Sequence, residues 1–204
     1  MLLVAEKSVY SGSTRDIINA TFRAPQPGLL SEDPMFDVVN IPIGSYNSTE
    51  MFKVHRNILI LNIKEGNPNK AYRFVDEHSA PQVIYQIEAN SRRALDSLLE
   101  RVAPLAIKEM REAEHARIIK AFNKVRGVEA MQKVKEQFGI EVTLSDEFEV
   151  AVQEGDFAWI RKETKDFSLG LLITKMPYTD KHQFDTVSIL NAIDTIMKRH
   201  VPGC

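Results

Sequence analysis

Histidine and cysteine, the side chains with the widest chemical range, are sparse in this chain: there are five histidines and one cysteine, the final residue Cys204. No two histidines have the i, i+4 spacing that places both imidazoles on one helix face to bind a metal, and no HExxH motif occurs. A single cysteine completes neither an intramolecular disulfide nor a cysteine-based metal site. The sequence therefore predicts no metal site.

The motifs of nucleotide binding and nucleophilic catalysis are also missing. The nine glycines form neither a GxGxxG motif nor a GxxxxGKS or GxxxxGKT motif, so no loop is patterned to cradle a phosphate. The serines lack a GxSxG nucleophile elbow. We therefore expect no cofactor and no catalytic residue, and we favour a protein that is not an enzyme.

His55 and Arg56 are the best-placed pair for contacting a ligand. They directly precede the apolar stretch 57–63, which is typical of a buried strand. Two interpretations are open. The favoured one is an imidazole at a strand edge, hydrogen-bonded to backbone, and the other is direct contact with a ligand.

Trp159, Arg161 and Glu163 form a second group of candidates on a predicted strand. Side chains alternate across a strand, so we expect Arg161 to share a face with Phe157 and Trp159, and we expect the predicted last helix, 183–200, to cover this face and bury the indole. A guanidinium over an aromatic ring gains roughly 0.5 to 2 kcal/mol. We favour a structural contact of Arg161 with Trp159 or a carboxylate, and the alternative is a surface that recognises an anionic or glycan-like ligand.

Composition limits the partners that these candidates could serve. The 204 residues carry 26 basic and 28 acidic side chains, so no bulk positive field attracts nucleic acid. No stretch approaches the roughly 20 apolar residues that a membrane-spanning helix needs. The balance of apolar and charged residues is that of a folded globular protein, and we expect no nucleic-acid partner.

The order of the predicted elements indicates an α+β fold, with mostly antiparallel or mixed sheets and one long central helix. The long helix starts near Ser91, with an expected bend before Pro104, and its charged run 108–120 is predicted to be a solvated face. We divide the chain into residues 1–126 and 127–204, and an alternative is that both halves are ferredoxin-like. The predicted strands are 2–6, 36–41, 57–63, 82–88, 140–144, 148–152, 157–163 and 169–176, and the other predicted helices are 15–22, 128–138 and 183–200.

Two clusters of residues resemble a family of Bacteroidetes lipoproteins known as domain of unknown function 4837. The first cluster contains Phe36-Asp37-Val38, Pro42, Phe52 and His55-Arg56-Asn57-Ile58, and the second contains Phe157, Trp159-Ile160-Arg161-Lys162-Glu163-Thr164, Gly170, Pro177-Tyr178-Thr179-Asp180, Phe184, Leu190, Asp194 and Pro202-Gly203. The second cluster adds Tyr178 and Asp180 to the ligand-binding candidates. The family has no established activity, so the resemblance implies no catalytic residue.

The resemblance implies an exported protein, periplasmic or associated with the outer membrane, held by a lipid anchor that this chain does not contain. The family continues past Pro202-Gly203, so we expect residues 127–204 to be an incomplete half with an unpaired strand edge. The expected partner is another envelope protein or a second copy bound at that edge.

Two hypotheses follow for the function. The favoured one is an interaction or structural protein of the cell envelope. The competing one is an enzyme or small-ligand-binding protein that uses a polar cluster of His55, Arg161, Glu163 and Asp180, which requires these side chains to converge in one pocket.

Overall fold

The computed structural model describes residues 1–27 and 32–201. The chain forms two compact units, Met1–Ile118 and Ile119–Cys204. In the described residues, no helix is both long enough and apolar enough to cross a membrane. Helices and sheets occur in both units, which confirms the predicted α+β class.

A five-stranded mixed sheet organises the first unit. Its strand order is β2-β1-β3-β5-β4, in which β4 alone is antiparallel to its neighbour. The elements are β1 (Leu2–Val4), α1 (Gly12–Thr21), β2 (Val39–Ile41), α2 (Ile43–Ser48), α3 (Glu50–Lys53), β3 (Asn57–Ile63), β4 (Lys70–Val75), β5 (Val83–Ala89) and α4 (Arg92–Phe122). Parallel pairing of β1 with β2 and β3, and of β3 with β5, is not the antiparallel arrangement of a ferredoxin-like layer, so that alternative is wrong.

Both faces of this sheet are buried, which explains the nearly continuous apolar sequence of β3. On one face, Leu59 and Leu61 join a core that includes Ile18 of α1 and Leu99 of α4. On the other face, Ile58 joins a smaller core with residues of β1, α2 and β5. The predicted bounds of β3 are confirmed, whereas α2, α3 and β4 were not predicted.

Helix α4 is one continuous helix through Pro104, and its charged run packs on the sheet rather than forming only a solvated face. Glu109 Oε2 accepts hydrogen bonds from Arg73 Nε at 2.5 Å and from the Tyr85 hydroxyl at 2.9 Å. Burial and then the bond to Glu109 raise the pKa of Tyr85 to about 12. Lys108, Glu112 and His115 of the run are exposed, as predicted, whereas Glu109 satisfies polar groups at the rim of the sheet, beside the buried Met110.

The carboxyl end of β1 is closed by the start of α4. The chain leaves β1 for β2 on one side and returns as β3 on the other, the position where open α/β sheets commonly bind ligands. Here the Arg92 guanidinium donates to the carbonyls of Val9 at 3.1 Å and Ser11 at 2.8 Å, to the Thr14 hydroxyl at 2.9 Å, and to the Ser8 carbonyl. The crevice therefore holds a side chain of the protein itself.

A three-stranded antiparallel sheet organises the second unit, in the order β6-β7-β8. The elements are α5 (Val128–Phe138), β6 (Glu149–Glu154), β7 (Phe157–Glu163), β8 (Ser168–Thr174), a short 3₁₀ helix (Lys181–Phe184) and α6 (Thr186–His200). Ala158 and Ile160 of β7 pack with Ala130, Val134 and Phe138 of α5. This packing covers one face of the sheet.

The strand predicted at residues 140–144 is wrong. This segment joins no sheet, because it packs at the start of α5 instead. The Leu144 carbonyl accepts from the Gly127 backbone N–H at 3.0 Å, and the Leu144 side chain is buried in the core against α5. Its apolar pattern therefore records burial without strand pairing.

Candidate functional site

His55 and Arg56 line an open cleft of about 480 Å³ in the first unit, where β3 begins. Both side chains are exposed. Asn57 and Glu114 line the same cleft, and Met51 and Val54 add apolar surface to it. Two of the candidate residues therefore share this cleft with two polar residues, Asn57 and Glu114, that were not among the candidates.

Asn57 has a buried side-chain oxygen without a hydrogen-bond partner among the described residues. It is only 8% exposed, and its Nδ2 donates to Glu114 Oε1 at 3.1 Å. The ionised carboxylate of Glu114 only accepts, so the amide must face it with nitrogen, which leaves Asn57 Oδ1 buried without a partner among the described residues. Arg117 Nε donates to the other oxygen of Glu114 at 2.8 Å and holds the carboxylate in place. An unpaired buried acceptor costs roughly 1 to 3 kcal/mol.

The His55 ring stacks on Phe52, with ring centroids 6.5 Å apart. The hydrogen bond at this residue uses its backbone instead, since the His55 carbonyl accepts from Gln82 Nε2 at 2.7 Å. Gln82 is fully buried and also donates to the Lys53 carbonyl at 2.6 Å. This amide fixes the loop that carries His55 and leaves the imidazole at the mouth of the cleft.

Trp159 lies on the face of the second sheet that is opposite α5. Its indole is half-buried, with Nε1 3.1 Å from the position that a Cβ at Gly170 would occupy. The Arg161 guanidinium lies 5.8 Å from the indole centroid and pairs with Glu163 at 3.0 Å. The predicted burial of Trp159 under the last helix is wrong. None of the described side chains of α6 is buried, and the last residue of this helix contacts the first residue of β7, where the rings of His200 and Phe157 stack with centroids 4.1 Å apart.

Tyr178 and Asp180 lie in the segment before the 3₁₀ helix. Asp180 Oδ1 accepts from the His182 backbone N–H at 2.7 Å, so this carboxylate caps the helix. Tyr178 stacks on Phe184 with centroids 5.9 Å apart, and both rings are exposed. His55 belongs to the first unit and the other three members of the predicted polar cluster to the second, and their convergence stays a prediction.

Exposed aliphatic side chains are concentrated in the second unit. On β8, Leu169 is 48% exposed and Leu172 is 37% exposed. Helix α6 adds four exposed aliphatic residues, Val187, Ile189, Leu190 and Ile193. Neighbouring apolar side chains left in solvent commonly mark a surface that binds another macromolecule.

Metal binding finds no support in the described part of the chain, where no three histidine, cysteine, aspartate or glutamate side chains are grouped to hold an ion.

Comparison with known families divides the chain in a similar place to the structure. Residues 1–123 match the model of a domain of unknown function, DUF8532, and so account for more than half of the 204 residues. The chain belongs to the DUF8532 family. Residues 127–204 match a second domain of unknown function, DUF4837.

The predicted resemblance to DUF4837 is thereby confirmed for residues 127–204, whereas the first cluster of resembling residues, between Phe36 and Ile58, lies in the DUF8532 region. Searches of the curated proteins and of the solved structures found no significant match. The cleft at Asn57 is thus a feature of the DUF8532 region, and the exposed face of Trp159 and Leu172 is a feature of the DUF4837 region.

Proposed function

We propose that this protein is a non-enzymatic interaction protein of the cell envelope and that it binds its partner through the second sheet. The observation that carries the proposal is the uncovered face and edge of that sheet, where Leu172 is exposed beside the half-buried Trp159 and Leu169 is exposed on the other face of the same edge strand. Aromatic and arginine side chains are enriched at protein interfaces, and Trp159 and Arg161 stand together on this face.

The envelope location is supported by the resemblance of residues 127–204 to DUF4837, whose members resemble exported lipoproteins. We expect the protein in its native host to fractionate with the envelope and to be released by detergent rather than by salt. Release by salt alone would indicate an electrostatic association and would count against a lipid anchor.

The binding surface is tested by site-specific photo-crosslinking in the host cell. A photoreactive amino acid replaces Leu172, and a matched variant carries it at Leu105, which is exposed on α4 of the first unit. We expect discrete adducts from position 172 that the additional substitution Leu169→Lys abolishes. Equal adducts from both positions, or none from position 172, would overturn the proposal.

A second candidate function, small-ligand binding, is favoured by the open cleft that Arg56 lines together with Met51 and Val54. The guanidinium offers a cation and the other two side chains an apolar surface, so a suitable ligand combines an anionic group with an apolar group. N-acetylated aliphatic amino acids provide both groups. If they raise the melting temperature of the protein, and if Arg56→Gln removes that rise, the cleft is a ligand site; no rise rejects this probe and leaves the first candidate.

A further inference from the structure

We propose that a second copy of this chain pairs with the free edge of β8, as an antiparallel strand centred on Leu171. This inference rests on the proposed function, since it names the partner of the second sheet. It adds a register, a symmetry and a set of opposed residues, each of which an experiment can check.

The direction of the backbone groups of β8 follows from its pairing with β7. Lys175 N–H donates to the Asp156 carbonyl at 2.8 Å, and Thr164 N–H donates to the Phe167 carbonyl at 2.9 Å. Antiparallel strands bond through alternate residues, so the odd-numbered residues of β8 bond to β7. The groups of Ser168, Gly170, Leu172 and Thr174 therefore point away from β7. In the described residues β8 pairs with β7 alone.

A two-fold axis perpendicular to the sheet at Leu171 makes these outward groups complementary to themselves. Gly170 then stands opposite Leu172 of the second copy, and Ser168 stands opposite Thr174. The two-fold axis repeats both pairs, and each of the four resulting pairs exchanges two backbone hydrogen bonds, which gives about eight across the interface. The same surface serves both copies, as in most symmetric dimers.

The side chains fit the same register. Leu169 comes to lie opposite Ile173 of the second copy, on the sheet face that carries the core against α5. Leu171 meets its own counterpart on that face. Directly opposed aliphatic residues stabilise a strand pair, so the pairing covers Leu169, which is 48% exposed in a single copy.

Charge favours the antiparallel orientation over the parallel one. The seven residues of β8 include no charged side chain and no proline, the devices that commonly protect an edge strand from pairing. Lys165 and Asp166, of opposite charge, precede the strand, and Lys175 follows it. Antiparallel pairing keeps the two Lys175 side chains at opposite ends of the interface, whereas parallel pairing would bring them together.

The first experiment reads the register with single cysteines in residues 1–204 carrying Cys204→Ser. Leu171→Cys places two Cα atoms about 4.5 Å apart, within reach of a disulfide. Leu169→Cys and Leu172→Cys are matched controls whose counterparts lie beyond the roughly 7 Å limit. With copper–phenanthroline as oxidant, we expect rapid crosslinking of Leu171→Cys alone. Equal rates for the three variants would overturn the register.

The second experiment measures assembly directly by sedimentation equilibrium. We expect a dimer, with Leu169→Lys raising its dissociation constant by at least about tenfold, a change of about 1.4 kcal/mol. Val187→Lys, an equally drastic change on exposed α6, should leave the dissociation constant unchanged. A chain that is monomeric at every concentration overturns the second copy as partner. If photo-crosslinks from position 172 then persist, the proposed function stands; if they are also missing, both fail.

Discussion

The two sheets of this molecule contain similar aliphatic strands and use them differently. In the first unit, β3 lies between neighbours on both sides, and both of its faces are covered. In the second unit, β8 pairs with β7, and among the described residues it has no strand on its other side. Leu59 is 0% exposed, whereas Leu172 is 37% exposed. The burial of an aliphatic strand is thus decided by the elements that cover it.

The largest expected effect is a difference in stability cost between two leucines, one in each sheet. Leu59→Ala should lower the free energy of unfolding by about 2 to 5 kcal/mol, because it leaves a cavity in a closed core. Leu172→Ala should cost less than about 1 kcal/mol, since much of its side chain is already hydrated. Urea denaturation of both variants measures the difference. Equal costs would show that the second sheet is covered in solution.

The next effect concerns how the second unit closes. Gly127 precedes α5, and an added Cβ would lie 3.1 Å from the Ser145 carbonyl carbon and closer still to its oxygen. Because both contacts are backbone, Gly127→Ala should destabilise the second unit by about 1 to 3 kcal/mol. Gly44→Ala is the control, since nothing lies within 4 Å of its Cβ position. Similar denaturation midpoints for the two variants would contradict the close approach.

A smaller expected effect is a loss of stability of the first unit at alkaline pH. The pKa of Tyr85 is raised from its ordinary 10.0 to about 12, so between these values the folded chain keeps a proton that the unfolded chain loses. Stability is therefore fully present below about pH 10 and falls as the pH rises toward 12. Urea unfolding across this range should show the fall, and Tyr85→Phe should reduce it. Parallel pH profiles for the two proteins would argue against this role.

The smallest effect sharpens the description of the open face. Trp159 is the single tryptophan, so its fluorescence reports this face alone. We expect partial quenching by acrylamide, because the indole is half-buried. Arg161→Gln should cost about 0.5 kcal/mol by removing the cation–π contact, and it should increase the quenching. Blue-shifted emission that acrylamide leaves unchanged would mean that the indole is buried after all.

Local patterns in the sequence predicted the elements whose buried residues recur at a regular spacing. Strands β3 and β7 and helix α5 were predicted with the bounds that the structure shows, because their periodicity records the face that each element buries. The pattern could not predict which strands are neighbours. Strand β4 was missed since it lies at the edge of the first sheet and its side chains are mostly exposed.

The candidate site was predicted only where it is local in sequence. His55 and Arg56 were found because they adjoin a strong strand pattern. The other two polar residues of this cleft, Asn57 and Glu114, could not be found in the same way. They are 57 residues apart in the chain, and a sheet and a long helix must form before the two meet. Trp159 was placed on the correct strand but on a covered face, because the sequence of an amphipathic helix does not state which surface it covers.

The hydrogen bonds of the Arg92 guanidinium also affect the order in which parts of the chain become fixed during synthesis. Strand β1 is synthesised before its neighbours β2 and β3, and the carbonyl of Val9 in the loop after it accepts from a donor 83 residues further along the chain. Contacts so distant along the chain form slowly, because the intervening segment must first be ordered. Strand β1 is therefore secured only after α4 has been made, whereas β6, β7 and β8 of the second unit pair through short connections.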